Sequence, residues 1–416
     1  MALNLSTLTN ASTSATVLAE AQTTADFLDS VPILKNIARG SNKGGDGKQT
    51  TALNQPKALP VIDGKGYLYL SGVSGNYASV PASTALNPTG DLELQAYLVP
   101  ADVVGQKTIL GKYENNSWEY LWVIDGVNRL KFWRPQADSS GSAISDVAIS
   151  SDQTGLKVTH NSTSGLTQFF EKINGAWVQL GTDKNIPPRT ASHTFTAPVN
   201  IGAWNTNGTS NPMYGAIKRV VIKDGIDGTP VLDVDFTATN IRHNDTKFQC
   251  ATGQTVTINQ ALNDPATVIK KSVLRFANLS NGTTSIGLEG LFSQELNGGY
   301  MFAAFSVLGD GGGSYGHVFS TNKTGGNSDS NGGVIFIYSP QSTSNLGVFR
   351  GQLLTHYDLF DANNGDFIVE HKATNSSSIS RVNKADVKTS SNTYVIESDE
   401  FVIGKAPVSV NNAAID

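Results

Sequence analysis

The stretch Leu92-Glu93-Leu94-Gln95-Ala96-Tyr97-Leu98 alternates apolar and polar residues without a break. A period of two sets Leu92, Leu94, Ala96 and Leu98 on one face and Glu93, Gln95 and Tyr97 on the other, which is the pattern of a strand with one face in a core. Working outward, similar runs recur on both sides: Gly66–Leu70, Asn76–Val80, Lys107–Gly111, Glu119–Val123, Arg129–Arg134, Gly155–Thr159, Thr167–Ile173, Ala176–Leu180, Val199–Ala203, Ala216–Lys223 and Leu232–Phe236. Asp125-Gly126 and Asn174-Gly175 stand between such runs as hairpin turn pairs. No convincing helical period separates them, so residues 61–240 are predicted to form an all-β, two-sheet sandwich.

The order repeats after about 200 residues, a spacing that means domain duplication and not a solenoid. Val273–Phe276, Thr284–Leu288, Tyr300–Leu308, His317–Thr321, Val334–Tyr338, Gly347–Arg350, Thr355–Phe360, Phe367–Lys372 and Glu400–Gly404 follow the first set. Residues 273–416 therefore read as a second sandwich, incomplete at its C-terminus, because no counterpart of Tyr214–Asp224 follows Glu400–Gly404. Residues 241–272 read as an inter-domain segment, and Thr255–Asn259 within it is a candidate to fill the gap in the second copy. Residues 1–60 contain no Trp or Tyr and one Phe, Phe27. Ser12–Asp29 can be read as one amphipathic helix ended by Pro32, followed by a Gly-rich linker over residues 40–47. A segment this thin holds no core of its own. It is either a disordered tail or an attachment segment that docks on another chain.

Composition sets the outer bounds. Only 16% of the 416 residues are charged, against about 25% in an average domain, but 5 Trp, 12 Tyr and 17 Phe supply enough aromatic mass for real cores and exclude a wholly disordered chain. The net charge of −5 and the absence of Lys/Arg clusters argue against a nucleic-acid partner. One cysteine, Cys250, excludes an internal disulfide and a multi-cysteine metal site. No apolar run approaches 18 residues, so no membrane-inserted helix is expected. The first residues show neither a basic nor an apolar leader region, so no secretory signal is expected.

The run Gly66-Tyr-Leu-Tyr-Leu-Ser-Gly-Val-Ser-Gly-Asn-Tyr-Ala-Ser-Val-Pro81 resembles the opening of laminin-G-like domains of the concanavalin A-like lectin/glucanase superfamily. Asp91–Leu98, Ile109–Lys112 and the aromatic hairpin Trp118–Trp133 are similar to the parts that follow there, and Val199–Gly202 and Gly215–Gly225 to its closing segments. The resemblance implies two tandem jelly-roll sandwiches of concanavalin A-like fold after a short, partly helical N-terminal segment. It implies no particular ligand. Domains of this kind are common in bacteriophage virions, and the texture of the chain is similar to a fibre, tail or head-decoration protein. That resemblance implies a virion location, docking on other virion proteins through residues 1–60, a dimer or trimer, and host-surface glycan as a target.

Sugar sites use an exposed aromatic face flanked by amides and carboxylates. All five tryptophans lie between residues 118 and 204. Trp204, in the loop Ala203-Trp-Asn-Thr-Asn-Gly-Thr-Ser210, is the best exposed candidate, with Asn205 and Asn207 beside it and Trp118 as a second ring. Core packing is the alternative for most of the rings. Laminin-G-like domains often hold Ca²⁺ at the sandwich rim, which by resemblance makes Asp310 and Asp329 candidate ligands; solvated turn aspartates are the alternative. Glucanases of the superfamily resemble one another in a Glu-x-Asp-x-x-Glu strand, which is missing here. Asp91/Glu93 and Asp233/Asp235 have i, i+2 spacing but no third acid. No His pair is three or four residues apart. The expected function is a non-enzymatic virion structural protein with lectin-like domains; a secreted or cell-surface carbohydrate-binding protein and a glycan hydrolase are the alternatives.

Overall fold

The structure, a computed structural model, describes residues 59–270 apart from loops at 102–104, 115–116, 136–139, 151–153, 188–194, 206–210 and 262–265, and beyond that span the backbone of separate strands. The chain divides into two compact units, residues 61–261 with 265–271, and residues 1–60 with 262–264 and 272–416. The expected helix over Ser12–Asp29 lies outside the described residues.

The first unit is a sandwich of two antiparallel sheets. Its strands are β1 (Tyr67–Ser71), β2 (Tyr77–Val80), β3 (Leu92–Pro100), β4 (Lys107–Glu114), β5 (Ser117–Ile124), β6 (Arg129–Pro135), β7 (Ser140–Ala148), β8 (Thr154–His160) and β9 (Leu166–Ile173). They continue as β10 (Ala176–Gln179), β11 (Lys184–Asn185), β12 (Val199–Ile201), β13 (Tyr214–Asp224), β14 (Thr229–Asp235), β15 (Lys247–Gln249), β16 (Thr255–Asn259) and β17 (Thr267–Ile269). Sheet I runs β7-β6-β5-β4-β12-β2-β16-β15. Sheet II runs β10-β9-β8-β3-β13-β1-β17, with β11 beside β9 and β14 beside β13. Among the described residues the only helical element is one 3₁₀ turn, Thr84–Leu86.

Alternation does the sorting. Leu92, Leu94, Ala96 and Leu98 of β3 all enter the core, where they meet Tyr120 and Trp122 of β5, Phe132 of β6, Phe169 of β9 and Ile217, Val220 and Ile222 of β13. The β9–β10 hairpin turns on Asn174 and Gly175, with φ of 51° and 84°, the left-handed pair that a tight two-residue turn demands. All twelve runs read from the sequence are strands. Missed were the short β11, β15 and β17, and β7, an edge strand whose Ser-Gly-Ser-Ala-Ile-Ser-Asp-Val-Ala carries little bulk.

Residues 241–272 need correction. They are no linker: β15, β16 and β17 complete both sheets of the first sandwich. Thr255–Asn259 fills no gap in the second unit, since Thr257 pairs with Ser79 and Ile258 with Ala78 of β2. Its Val256 and Ile258 are buried in the first core. One buried amide holds this extension down. Asn76 donates to Ser71 Oγ at 2.7 Å and accepts from the backbone amides of Ala261 and Ala266 at 2.8 and 2.7 Å, bridging the start of β2 to the β16–β17 connection.

Polar side chains close one end of the sandwich. Arg134, 1% exposed, donates to the carbonyls of Pro88 and Gly90 at 2.7 and 2.9 Å. Tyr120 donates to Leu86 O, and buried Lys112 to Ala197 O at 2.6 Å. His160 lies buried beside them, its Nδ1 at 2.9 Å from Thr167 Oγ1. Burial first, and the Arg134 charge second, push its pKa down to about 4, against a smaller upward pull from Asp91.

In the second unit the described backbone forms an eight-stranded sheet in the order Ile33–Leu34, Gly47–Lys48, Leu288–Asn297, Glu397–Ile403, Tyr315–Asn322, Gly333–Tyr338, Asn345–Arg350, Leu353–His356. A four-stranded sheet runs Gly299–Val307, Gly365–Ala373, Ser378–Val382, Lys388–Ser390, and Lys57–Leu59 pairs with Val273–Arg275. Three short strands of residues 1–60 thus pair within this chain.

Two outcomes follow. A chain spanning residues 61–271 should melt cooperatively, whereas one spanning 61–240 should show no cooperative transition by circular dichroism, because it exposes one edge in each sheet. His160 takes up protons less readily folded than unfolded, so stability should fall as pH drops from 6.5 to about 4, a loss on the order of 3 kcal/mol. In His160→Gln, the fall in Tm between about pH 6.5 and 5, above the range in which carboxylates titrate, should be lost.

Candidate functional site

The outer face of sheet I is built around a crossing of backbone. Just past β12, Gly202 adopts φ of 87°, a conformation that favours glycine, and a Cβ there would come 2.3 Å from Leu70 Cδ1. The chain then lies across β4. A Cβ on Gly111 would stand 2.9 Å from Trp204 Cα and 3.0 Å from Trp204 O, so that glycine admits the segment. Trp204, half-buried, stacks near parallel on Tyr113, with centroids 6.3 Å apart and planes at 29°.

Register extends the site sideways. Ser79 of β2 faces Asn200, Asn200 faces Gly111, Gly111 faces Leu121, Leu121 faces Trp133 and Trp133 faces Ser142, a single row across six strands. Val199 and Ile201 are in the core, so Asn200 is turned to this outer row. It is fully buried, and neither amide atom has a hydrogen-bond partner among the described residues. An orphaned amide in that position costs about 1–3 kcal/mol until something pairs with it. Trp133 is half-buried under the Lys131 ammonium at 4.1 Å.

Of the four residues named from sequence, Trp204 and Asn205 lie half-buried at this site. The β4–β5 register sets the backbone of Trp118 opposite Tyr113, while its side chain lies outside the described residues. Asn207 also lies outside them, as do Asp310 and Asp329. Among the described residues no cluster of three His, Cys, Asp or Glu could hold a metal ion. Sequence reasoning missed Tyr113, Trp133 and Asn200. Asn200 was visible only as part of Val-Asn-Ile-Gly, a fold signature, and its burial arises from the crossing segment, which local pattern does not encode.

The paired carboxylates each have a structural task. Asp91 accepts from Ser162 N, Ser162 Oγ and Asn161 Nδ2 at 2.8, 3.1 and 3.0 Å, and so clips the β8–β9 turn. Glu93, fully buried, accepts from Lys223 Nζ at 2.8 Å and Asp227 N at 3.0 Å. Burial alone would raise its pKa, but hydrogen bonds from Lys223, Asp227 and Gln95 and the Lys223 charge hold it below the ordinary value. Asp233 takes a two-pronged bond from Arg219, and Asp235 accepts from Thr237 N and Oγ1 at 2.9 and 2.7 Å.

No protein-family model matches the chain, and no curated protein matches it. Among solved structures it is similar to the mouse laminin alpha1 chain, domains LG4-5, at 10% identity over 85% of this chain and 86% of that one, with a TM-score of 0.31. It is also similar to the carbohydrate-binding module CBM40 of the Ruminococcus gnavus IT-sialidase bound to α2,3-sialyllactose, at 10% identity, 38% and 90% coverage and a TM-score of 0.29. A third likeness is to tailspike protein 2 of Escherichia coli O157:H7 bacteriophage CAB120, at 13% identity, 50% and 27% coverage and a TM-score of 0.27. Likenesses of this size decide nothing about the chain's function; the sandwich rests on its own strand pairing.

Gly111→Val tests the crossing directly. The added side chain meets backbone, not a flexible tip, and should cost about 1–3 kcal/mol. The urea midpoint should fall and the tryptophan emission should shift red as Trp204 is pushed off Tyr113.

Proposed function

We propose that this protein is a non-enzymatic structural component of a bacteriophage virion and that its first sandwich offers a carbohydrate-binding surface to the host. The half-buried rings of the Trp204–Tyr113 stack and of Trp133, on the outer face of sheet I, carry the reading. Pyranose rings present C–H faces that pack on indole and phenol rings, and hydroxyls that pair with amides. Asn205, half-buried next to Trp204, would supply the second half of that chemistry. A shallow row of this kind binds one sugar weakly, so we infer a dimer or trimer displayed in many copies, where avidity raises binding about 10²–10⁴-fold. Attachment to other virion proteins would run through residues 1–60.

We also infer that the second unit is a copy of the first. Its order Leu288–Asn297, Glu397–Ile403, Tyr315–Asn322, Gly333–Tyr338, Asn345–Arg350, Leu353–His356 parallels β2-β12-β4-β5-β6-β7, and its four-stranded sheet parallels β3-β8-β9-β10. The non-enzymatic reading draws on the structural engagement of Asp91, Glu93, Asp233 and Asp235 described above.

An immobilised panel of host-envelope polysaccharides tests the proposal. Wild-type protein should be retained on at least one polysaccharide without releasing reducing ends, and Trp204→Ala should lose retention by tenfold or more, on the order of one lost stacking contact plus its burial. Retention unchanged by Trp204→Ala, or sugar release abolished by Asp91→Asn or Asp233→Asn, would overturn it.

A further inference from the structure

The outer face of sheet II holds a second aromatic cluster, remote in register from the row on sheet I. Alternation brings Tyr97 of β3, Lys157 of β8, Phe170 and Lys172 of β9 and Trp177 of β10 to that face: Lys157 pairs across to Phe170, and Lys172 to Trp177. Gly155 leaves room for it, since a Cβ there would come 3.1 Å from Tyr97 Cε1 and 3.0 Å from Lys172 Cβ. The Tyr97 and Trp177 rings stand 6.3 Å apart at 54°. The Lys157 ammonium lies 4.4 Å from the Phe170 ring centre and 5.1 Å from that of Trp177. The Lys172 ammonium lies 5.4 Å from Tyr97 and 5.6 Å from Trp177.

Two positive charges thus bracket one indole. Neither has a carboxylate partner among the described residues. The acids of this face are engaged elsewhere: Asp183 accepts from Gln168 and Gln179 at 2.8 Å each, Asp233 is forked by Arg219, and Glu93 is held by Lys223. Two ammonium groups resting on rings for want of an anion make a weak contact that is readily exchanged for a charge-assisted hydrogen bond.

We propose that Tyr97, Lys157, Phe170, Lys172 and Trp177 form a binding site for a pyranose that carries a carboxylate. The Trp177 and Tyr97 rings take the C–H face of the sugar, and Lys157 and Lys172 turn to its carboxylate. A nucleic-acid strand fits less well: its successive phosphates would have to pass the Glu93, Asp233 and Asp183 carboxylates on the same sheet. One compact carboxylate needs only the two lysines.

The test is calorimetric titration of the full chain with tri-galacturonate, tri-mannuronate, neutral galactotriose and an oligo-dT strand. The acidic trisaccharides should bind about tenfold tighter than the neutral one, and more weakly as salt rises. Lys157→Gln and Lys172→Gln should each weaken the acidic binding about tenfold with Tm unchanged, since both lie on the solvent face. Trp177→Ala should abolish it. Trp204→Ala, on the other sheet, should leave it intact, which separates failure here from failure of the sheet I surface. Equal binding of neutral and acidic sugars, binding of neither acidic trisaccharide, tighter binding of oligo-dT, or indifference to both lysine substitutions would overturn the proposal.

Discussion

Every strand edge inside an antiparallel sheet needs a hydrogen-bonded neighbour, and in the first sandwich that requirement draws on chain from residue 61 to residue 271. β13 is the clearest case. It pairs with β3, β1 and β14, so the strand that arrives late in the sequence is the one that knits the early strands together. β16 and β17 then cover β2 and β1. Once both sheets are closed, the outer faces become fixed surfaces, and the two aromatic clusters are consequences of register on those faces.

The two surfaces differ in how they are made. On sheet I a glycine in the sheet admits a passing loop, and the loop brings Trp204 over Tyr113. On sheet II the rings come from neighbouring strands, and a glycine lets them lie down. In both places the absent side chain makes room: at Gly111 a Cβ would collide with backbone, and at Gly155 it would crowd the Tyr97 and Lys172 side chains. The chemistry differs too: buried amide and stacked rings on one face, rings with two ammonium groups on the other.

Alternation made the first sandwich legible in the sequence, since Leu92, Leu94, Ala96 and Leu98 share a face and enter the core as the period requires. Hairpin glycines and asparagines were legible for the same local reason. What local pattern does not hold is partnership over distance. Thr255–Asn259 announces itself as a strand but not that its neighbour is Tyr77–Val80, some 180 residues earlier. Asn200 is polar in sequence and fully buried in the fold, because Ala203 and Trp204 cross the neighbouring strand beside it. Trp204 could be named because its loop lacks strand pattern; Tyr113 and Trp177 sit in strands, where parity is readable but exposure is not.

The dependence of the whole frame on residues 241–271 is measured most directly by amide hydrogen exchange on the full chain. Slow exchange in Thr255–Asn259 and Thr267–Ile269, matching that of Tyr67–Ser71 and Tyr77–Val80, is the result this account predicts, because paired strands of one cooperative unit open together. Exchange in those two segments at the rate of an exposed linker, with Tyr67–Ser71 and Tyr77–Val80 still protected, would contradict it.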